Sequence, residues 1–216
     1  MKNKNFSRCV IVGGAPISDY PAVRAYLTPN DYFIYCDCGL RHVDGLGHTP
    51  DLIIGDFDSH ARPETEIETI VLPHKKDDTD TVYAVREALS RNFDSFLLLG
   101  SVGARLDHSL ANVSLLLWLE ELGKDAMLVD DYSEMEIVSS REKLISDAFP
   151  YFSLVTIAGP VEGVTIRNAL YELQDAAISS EYQYAVSNEP LPGKTASVSV
   201  RKGRLLLLRD RSETNL

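Results

Sequence analysis

The chain has 216 residues, of which 44% are hydrophobic and 25% charged, and a formal net charge of −11. That is an ordinary globular composition, long enough for one large domain or two small ones with a real core. The acidic balance argues against a nucleic-acid partner, whose phosphates demand basic surface, and an anionic substrate would need a metal or a few placed cations. No apolar run approaches the roughly 20 residues that span a bilayer, so no membrane partner is expected. Met1 to Arg8 is polar and leads straight into a strand, without the pattern of a signal peptide. Three cysteines, with no Cys-x-x-Cys and no histidine at zinc-ligand spacing, suit thiols in a reducing cytoplasm.

In chain order, Arg8 to Val12 reads as a buried strand closing on Gly13-Gly14. Ser18-Asp19-Tyr20-Pro21 offers cap residues and a first-turn proline for a helix over Pro21 to Leu27. Tyr32 to Cys36 is a second strand, leaving through Asp37-Cys38-Gly39, and Leu52 to Ile54 is a third. Gly55-Asp56-Phe57-Asp58-Ser59 follows it, with a polar, turn-like stretch from His60 to Glu66. Thr69 to Leu72 is a weaker fourth strand. From Thr79 to Asn92 the residues Val82, Val85, Ala88 and Leu89 recur at helical spacing, capped by Asp78 or Thr79. Phe96 to Leu99 is a fifth strand and Ala126 to Val129 a sixth. Between them Asp107 to Leu122 is a helix apolar on most of its surface, and so expected to be largely buried. Strands alternating with helices predict a mostly parallel sheet covered on both faces, with ligands outside the carboxyl ends of the strands.

Beyond Asp131 the pattern changes. Short β-rich runs at 134–138, 152–157, 164–167, 183–186, 196–201 and 205–209 are separated by Gly and Pro. They predict an all-β domain, a small sandwich or barrel, with Lys202-Gly203 as a hairpin turn between the last two strands. The boundary falls near Asp131 to Ser140, giving domains of 1–132 and 133–216.

The chemistry concentrates where the strands end. Asp37, then Asp56 and Asp58, then Asp77 to Asp80, then Arg105, Asp107 and His108 follow successive strands. Carboxylates this close repel one another unless a cation neutralises them, and oxygen ligands suit a hard divalent ion such as Mg²⁺. For a lone Asp pair such as Asp56 and Asp58, turn capping is the plainer alternative. Neither G-x-G-x-x-G nor G-x-x-x-x-G-K-[ST] is present, so bound phosphate would rely on metal and on Lys76 and Arg105. Local pairing of Lys76 with Asp77 and of Arg105 with Asp107 competes with that role, more naturally for Lys76. His108 opens a helix, and Asn112 lies one turn further on the same face. His42, His48, His60 and His74 read as structural or solvent-facing, and Ser187-Asn188-Glu189 is by itself only a turn signal.

Taken together, Asp37-Cys38-Gly39, Pro50 to Ser59, Lys76-Asp77-Asp78-Thr79-Asp80, Arg105 to Asn112 and Ser187-Asn188-Glu189 resemble the thiamine pyrophosphokinase family, in order and spacing, over nearly the whole chain. The resemblance implies a Rossmann-like α/β domain that binds ATP and metal, then a β-sandwich domain for thiamine and dimerisation. It implies a homodimer whose active sites are shared between chains, and transfer of pyrophosphate from ATP to thiamine with Mg²⁺. It further implies that Asp56, Asp58 and Asp80 hold the metal. Asp37, Lys76, Asp77, Thr79, Arg105, Asp107, His108 and Asn112 would surround the triphosphate, with Asp80, Arg105 and Asp107 closest to catalysis. Ser187 and Asn188 would line the thiamine pocket. Two departures stand out. Cys38 replaces a glycine common in the family, which puts in question how near that loop comes to the nucleotide. The tryptophan that some members carry shortly after the Ser-Asn pair, where it packs on thiamine, is missing, and Trp118 lies in the long helix. A diphosphokinase for a pterin or another hydroxymethyl heterocycle, and a non-enzymatic nucleotide or thiamine diphosphate sensor, are the alternatives.

Overall fold

The computed structural model describes residues 6–58 and 63–211; Ser59 and the first part of the expected 60–66 turn lie outside these. The chain divides after Asp131 into two compact units.

In the first unit, β1 (Arg8–Val12), β2 (Asp31–Cys36), β3 (Leu52–Gly55), β4 (Thr69–Val71), β5 (Ser95–Leu99) and β6 (Asp125–Val129) run parallel. Their order is β4-β3-β2-β1-β5-β6. Every residue of β2 is buried, as a strand covered on both faces requires. Val10, Val12, Phe33, Tyr35, Leu97 and Leu99 build one side of the core. The strand order reverses at β1, whose neighbours β2 and β5 carry the chain opposite ways. Such a switch opens a crevice at the carboxyl ends.

Helix α1 (Tyr20–Arg24) is shorter than expected, since Tyr26 and Leu27 bond only three residues back, to Val23 and Arg24. A 3-10 helix (Asp37–His42) and α2 (Val43–Leu46) fill what the sequence showed only as a strand exit. Gly39 and Gly45 interrupt any apolar period there. Helix α3 (Asp80–Ser90) starts at Thr79, whose hydroxyl accepts from Val82 N–H. It buries Thr81, Ala84, Val85 and Ala88 against β1, β2 and β3, so small side chains set its close approach to the sheet. Helix α4 (Leu106–Glu121) corrects a second expectation. Its Leu115, Leu116 and Leu119 are buried, yet Leu106 is 72% exposed and Leu110 63%. Its first two turns stand at the rim of the crevice, with Leu106 and Leu110 outward while Ser109 and Asn112 turn in.

The second unit has two sheets. One runs β7 (Ser133–Val138), β13 (Leu205–Asp210), β9 (Tyr151–Thr156), with β13 antiparallel to both neighbours. The other runs β11 (Leu173–Ile178), β10 (Val161–Arg167), β12 (Ala196–Ser199), β8 (Lys143–Ile145). Val138, Phe152, Leu154, Leu205 and Leu207 from the first meet Ile145, Val164, Ile166 and Val198 from the second, which makes a sandwich. The same inner face carries Arg209, which donates to Glu134 and Glu136, while Lys143 also binds Glu136. Buried charges persist there because each has a partner.

Lys202-Gly203 is not a hairpin turn. Strands β12 and β13 lie in different sheets, and Gly203, at φ +99°, bends the chain from one to the other. The expected strand at 183–186 is also absent. Gln183 accepts from Thr156 N–H at 3.1 Å and donates to its carbonyl at 3.2 Å, so at that position a side chain replaces the ladder, although Ala185 O still accepts from Leu154 N–H at 2.7 Å.

Candidate functional site

The crevice at the strand ends of the first unit encloses about 460 Å³. Its floor is backbone brought unusually close. A Cβ on Gly13 would lie 2.5 Å from Gly100 O, and one on Gly39 would lie 2.2 Å from Val12 O. Glycine is the residue such contact requires. Cys38 rests against Gly14 and also lines the crevice, so the departure at this position leaves the loop at the site.

Strained backbone aims the side chains. Asp37 (φ +30°), Phe57 (φ +55°) and Ala104 (φ +54°) sit in the left-handed region in three separate strand-exit loops. Each conformation costs on the order of 1 kcal/mol or more, and holds only where its surroundings enforce it. The twist at Phe57 brings Asp56 and Asp58 together, with Asp58 N–H reaching Asp56 Oδ1 at 3.4 Å.

Two groups of possible metal ligands result, each with ligand atoms within 4.8 Å of one another: Asp37, Asp56 and Asp80, and Asp56, Asp58 and His74. Asp56 belongs to both. The expected trio of Asp56, Asp58 and Asp80 is thus divided between them, and Asp37 and His74 are additions. Asp37 is 7% exposed and its Oδ1 has no hydrogen-bond partner. Burial, then the charges of Asp80, Asp56 and Asp58, push its pKa up against a hydrogen bond from Cys38. Lys76 binds Asp56, which lowers the Asp56 pKa, and its Nζ lies 2.9 Å from Asp80 Oδ1. Burial lowers the Lys76 pKa, and these two carboxylates more than offset it. Asp80 Oδ1 makes this ion pair without hydrogen-bond alignment. Lys76 therefore reaches into the acid cluster and not to Asp77, which is exposed and lies off the crevice wall. An orphaned, buried carboxylate oxygen among hard oxygen donors fits a divalent ion such as Mg²⁺.

On the other wall stand Arg105 and His108, at the amino end of α4. Arg105 pairs with Asp107 in a fork, Nη2 to Oδ2 at 2.6 Å and Nε to Oδ1 at 3.2 Å. This holds the Asp107 carboxyl down at about 2. Asp107 itself is exposed and does not line the crevice. Asn112 is buried and donates to Ser101 O at 2.8 Å, fixing the loop after β5. Thr79 lines the crevice while it caps α3.

Sequence reasoning missed Arg41, Ser101 and His74 as lining residues. Arg41 and Ser101 sit in irregular loops with no period to flag them. His42, read as structural, is 2% exposed. It meets Tyr20 Oη at Nδ1 (2.8 Å) and Ala15 O at Nε2 (2.9 Å), bracing the loop after β1. His48 stacks on Phe33.

Ser187 and Asn188 lie at a separate cavity of about 350 Å³ within the second unit. Asn188 is 3% exposed, with Oδ1 accepting from Tyr171 N–H at 3.0 Å and Nδ2 donating to Tyr171 O at 2.8 Å. Ser187, at φ +55°, donates its N–H to Ser153 Oγ at 3.0 Å.

A parallel α/β unit with an acid-lined crevice is thus followed by a β sandwich with a cavity of its own. Residues 23–128 match the family model described as thiamin pyrophosphokinase, catalytic domain, and 135–205 match thiamin pyrophosphokinase, vitamin B1 binding domain. The chain belongs to the thiamin pyrophosphokinase family. It is 27% identical to the thiamine pyrophosphokinase of Bacillus subtilis over 207 residues, 92% of this chain and 96% of the relative. The crystal structure of a thiamin pyrophosphokinase from Geobacillus thermodenitrificans superposes with a TM-score of 0.82 at 26% identity, covering 97% of this chain and all of the other (100%). The Bacillus subtilis structure, at 24% identity, shares the fold with a TM-score of 0.83 and covers 95% and 99%.

Proposed function

We propose that this chain is a thiamine pyrophosphokinase that uses ATP and Mg²⁺, transferring pyrophosphate to the thiamine hydroxyl and releasing AMP. The observation that carries it is the clustering of Asp37, Asp56 and Asp80 in the crevice of a chain matched at both of its units by this family. Asp37, Asp56, Asp58 and Asp80 would hold Mg²⁺, which would supply the charge neutralisation that the phosphates need. The chain's own groups do the rest by positioning and charge, on which such transfers mainly depend. Lys76 and Arg105 supply cations. The amino end of α4 has no side-chain cap, and its N–H groups suit a phosphate beside His108. Asn112 holds the loop after β5 beside the triphosphate, and Ser187 and Asn188 border the acceptor cavity. For taking the hydroxyl proton Asp80 is better placed than Asp107, which is tied to Arg105 and held at about 2, far from a working base.

A homodimer with sites shared between chains is part of the same proposal, resting on the family resemblance. So is a cytoplasmic setting, supported by three free thiols. No helix among the described residues is long and apolar enough to cross a membrane. The test is product analysis. Protein, Mg²⁺, ATP and thiamine should yield AMP and thiamine diphosphate by chromatography. ADP with thiamine monophosphate, or no turnover, would overturn the reading.

A further inference from the structure

The cavity in the sandwich has an unusual chemistry for a site that takes a charged molecule: no residue lining it is charged. Its polar groups are Ser187, Asn188 and two tyrosines, and Ile166 and Leu173 form part of an apolar floor. Its volume, about 350 Å³, falls in the range of small-molecule sites, roughly 300–1,000 Å³. The two tyrosines are held open. Tyr171 is 65% exposed and Tyr184 40% exposed, although rings of this size gain by burial.

Both are fixed from behind. The Tyr184 hydroxyl donates to Ala177 O at 2.8 Å, and its ring lies against Tyr182 with centroids 5.5 Å apart. Tyr171 is held by its backbone, because the Asn188 amide engages both its N–H and its carbonyl. A buried side chain making two bonds to one residue in a loop is a clamp on that residue. Aromatic faces attract cations that lack N–H donors, since the ring quadrupole needs no proton to share.

Resting on the proposed function, we infer that Tyr171 and Tyr184 recognise the acceptor as a flat heteroaromatic cation, through their ring faces, and that Asn188 is the positioning residue for Tyr171. No carboxylate is required to meet the thiazolium charge. The same walls admit a neutral heterocycle of equal shape only weakly.

The experiment compares thiamine with its neutral isostere, in which carbon replaces the thiazolium nitrogen. Both are measured by turnover with Mg²⁺ and ATP and, separately, by calorimetric binding without nucleotide. Wild type should prefer the cation by about tenfold or more. Tyr171→Leu and Tyr184→Leu should each raise KM for thiamine about tenfold and bring the two ligands close to parity, with KM for ATP unchanged. Tyr171→Phe keeps the face and should keep the preference. Asn188→Ser should raise KM for thiamine as Tyr171→Leu does, with kcat within about twofold, a split that general loosening would not produce. Leu variants that fold, by circular dichroism, and retain both KM and cation preference overturn the inference. The two readings fail separately. Cation-selective binding without turnover would reject the kinase and keep the aromatic site, whereas turnover without cation preference would do the reverse.

Discussion

Asp37, Asp56 and Asp80 crowd three carboxylates into the crevice of the first unit, whereas the cavity beside Ser187 in the second has no charged wall. One region gathers charge at a cost, leaving the Asp37 Oδ1 buried without a partner. The other avoids charge and relies on shape and ring faces. The difference teaches how a net charge of −11 can coexist with an anionic substrate such as the proposed ATP. Buried acid is placed where a cation can answer it. The sandwich buries its own charges too, but there Arg209 and Lys143 answer Glu134 and Glu136 within the fold.

The sharpest way to break this contrast is Asp58→Asn. It keeps the shape of the loop while removing charge and a good oxygen ligand. Activity should fall by about a hundredfold or more at saturating Mg²⁺, with circular dichroism unchanged. A variant within a few-fold of the parent would end the metal role of Asp58.

Next in size is a mixing test of whether crevice and cavity come from different chains. Asp58→Ala and Ser187→Arg are each expected to be inactive. Unfolded, mixed in equal amounts and refolded, about half the dimers pair one with the other, and about a quarter of parental activity should return if sites are shared. No recovery, with mixed dimers confirmed by mass spectrometry, would reject the shared site.

The smallest effect concerns stability. The raised Asp37 pKa means that folding favours its protonated form, so its contribution is full below the unfolded pKa and is lost as pH rises through the folded one. Without divalent ions, Asp37 should therefore pull Tm down as pH rises, against buried His42, whose lowered pKa pulls the other way. Asp37→Asn should remove that downward pull and raise Tm at neutral pH by a few degrees, the scale of about 1 kcal/mol in a protein of this size. Mg²⁺ should stabilise wild type more than the variant. Calorimetry showing the same pH slope in both would refute the account.

Much of the first unit was legible because parallel strands are buried on both faces and read as unbroken apolar runs. Cys9 to Val12 and Phe96 to Leu99 are such runs, and all are buried. The acids after β2, β3 and β4 were legible for a related reason, since chemistry in this fold gathers at strand ends. What stayed hidden depended on tertiary partners. The 3-10 helix at Asp37–His42 has no period, and β11 reads Leu-Gln-Asp-Ala-Ala-Ile, an exposed edge with poor strand formers that gains order only beside β10. Lys76 was set against Asp77 by adjacency, but adjacency says nothing of a lysine's reach across to Asp56. Tyr171 and Tyr184 lie in irregular segments, and their meeting at one cavity appears only in the folded chain.

The position of β13 has a consequence for synthesis. It is the last strand among the described residues, yet it lies between β7 and β9 and pairs with both, with Leu205 and Leu207 fully buried. The α/β unit has all its strands once Val129 has emerged, and can fold while the rest is still being translated. The sandwich gains that chance only after β13 has emerged. Until then β7 and β9 each lack β13 as a neighbour, and exposed strands are prone to wrong partners. A nascent chain stalled before Leu205 should thus carry a protease-resistant first unit and a second that is still digestible, so the sandwich closes only when two segments about 70 residues apart in the chain meet.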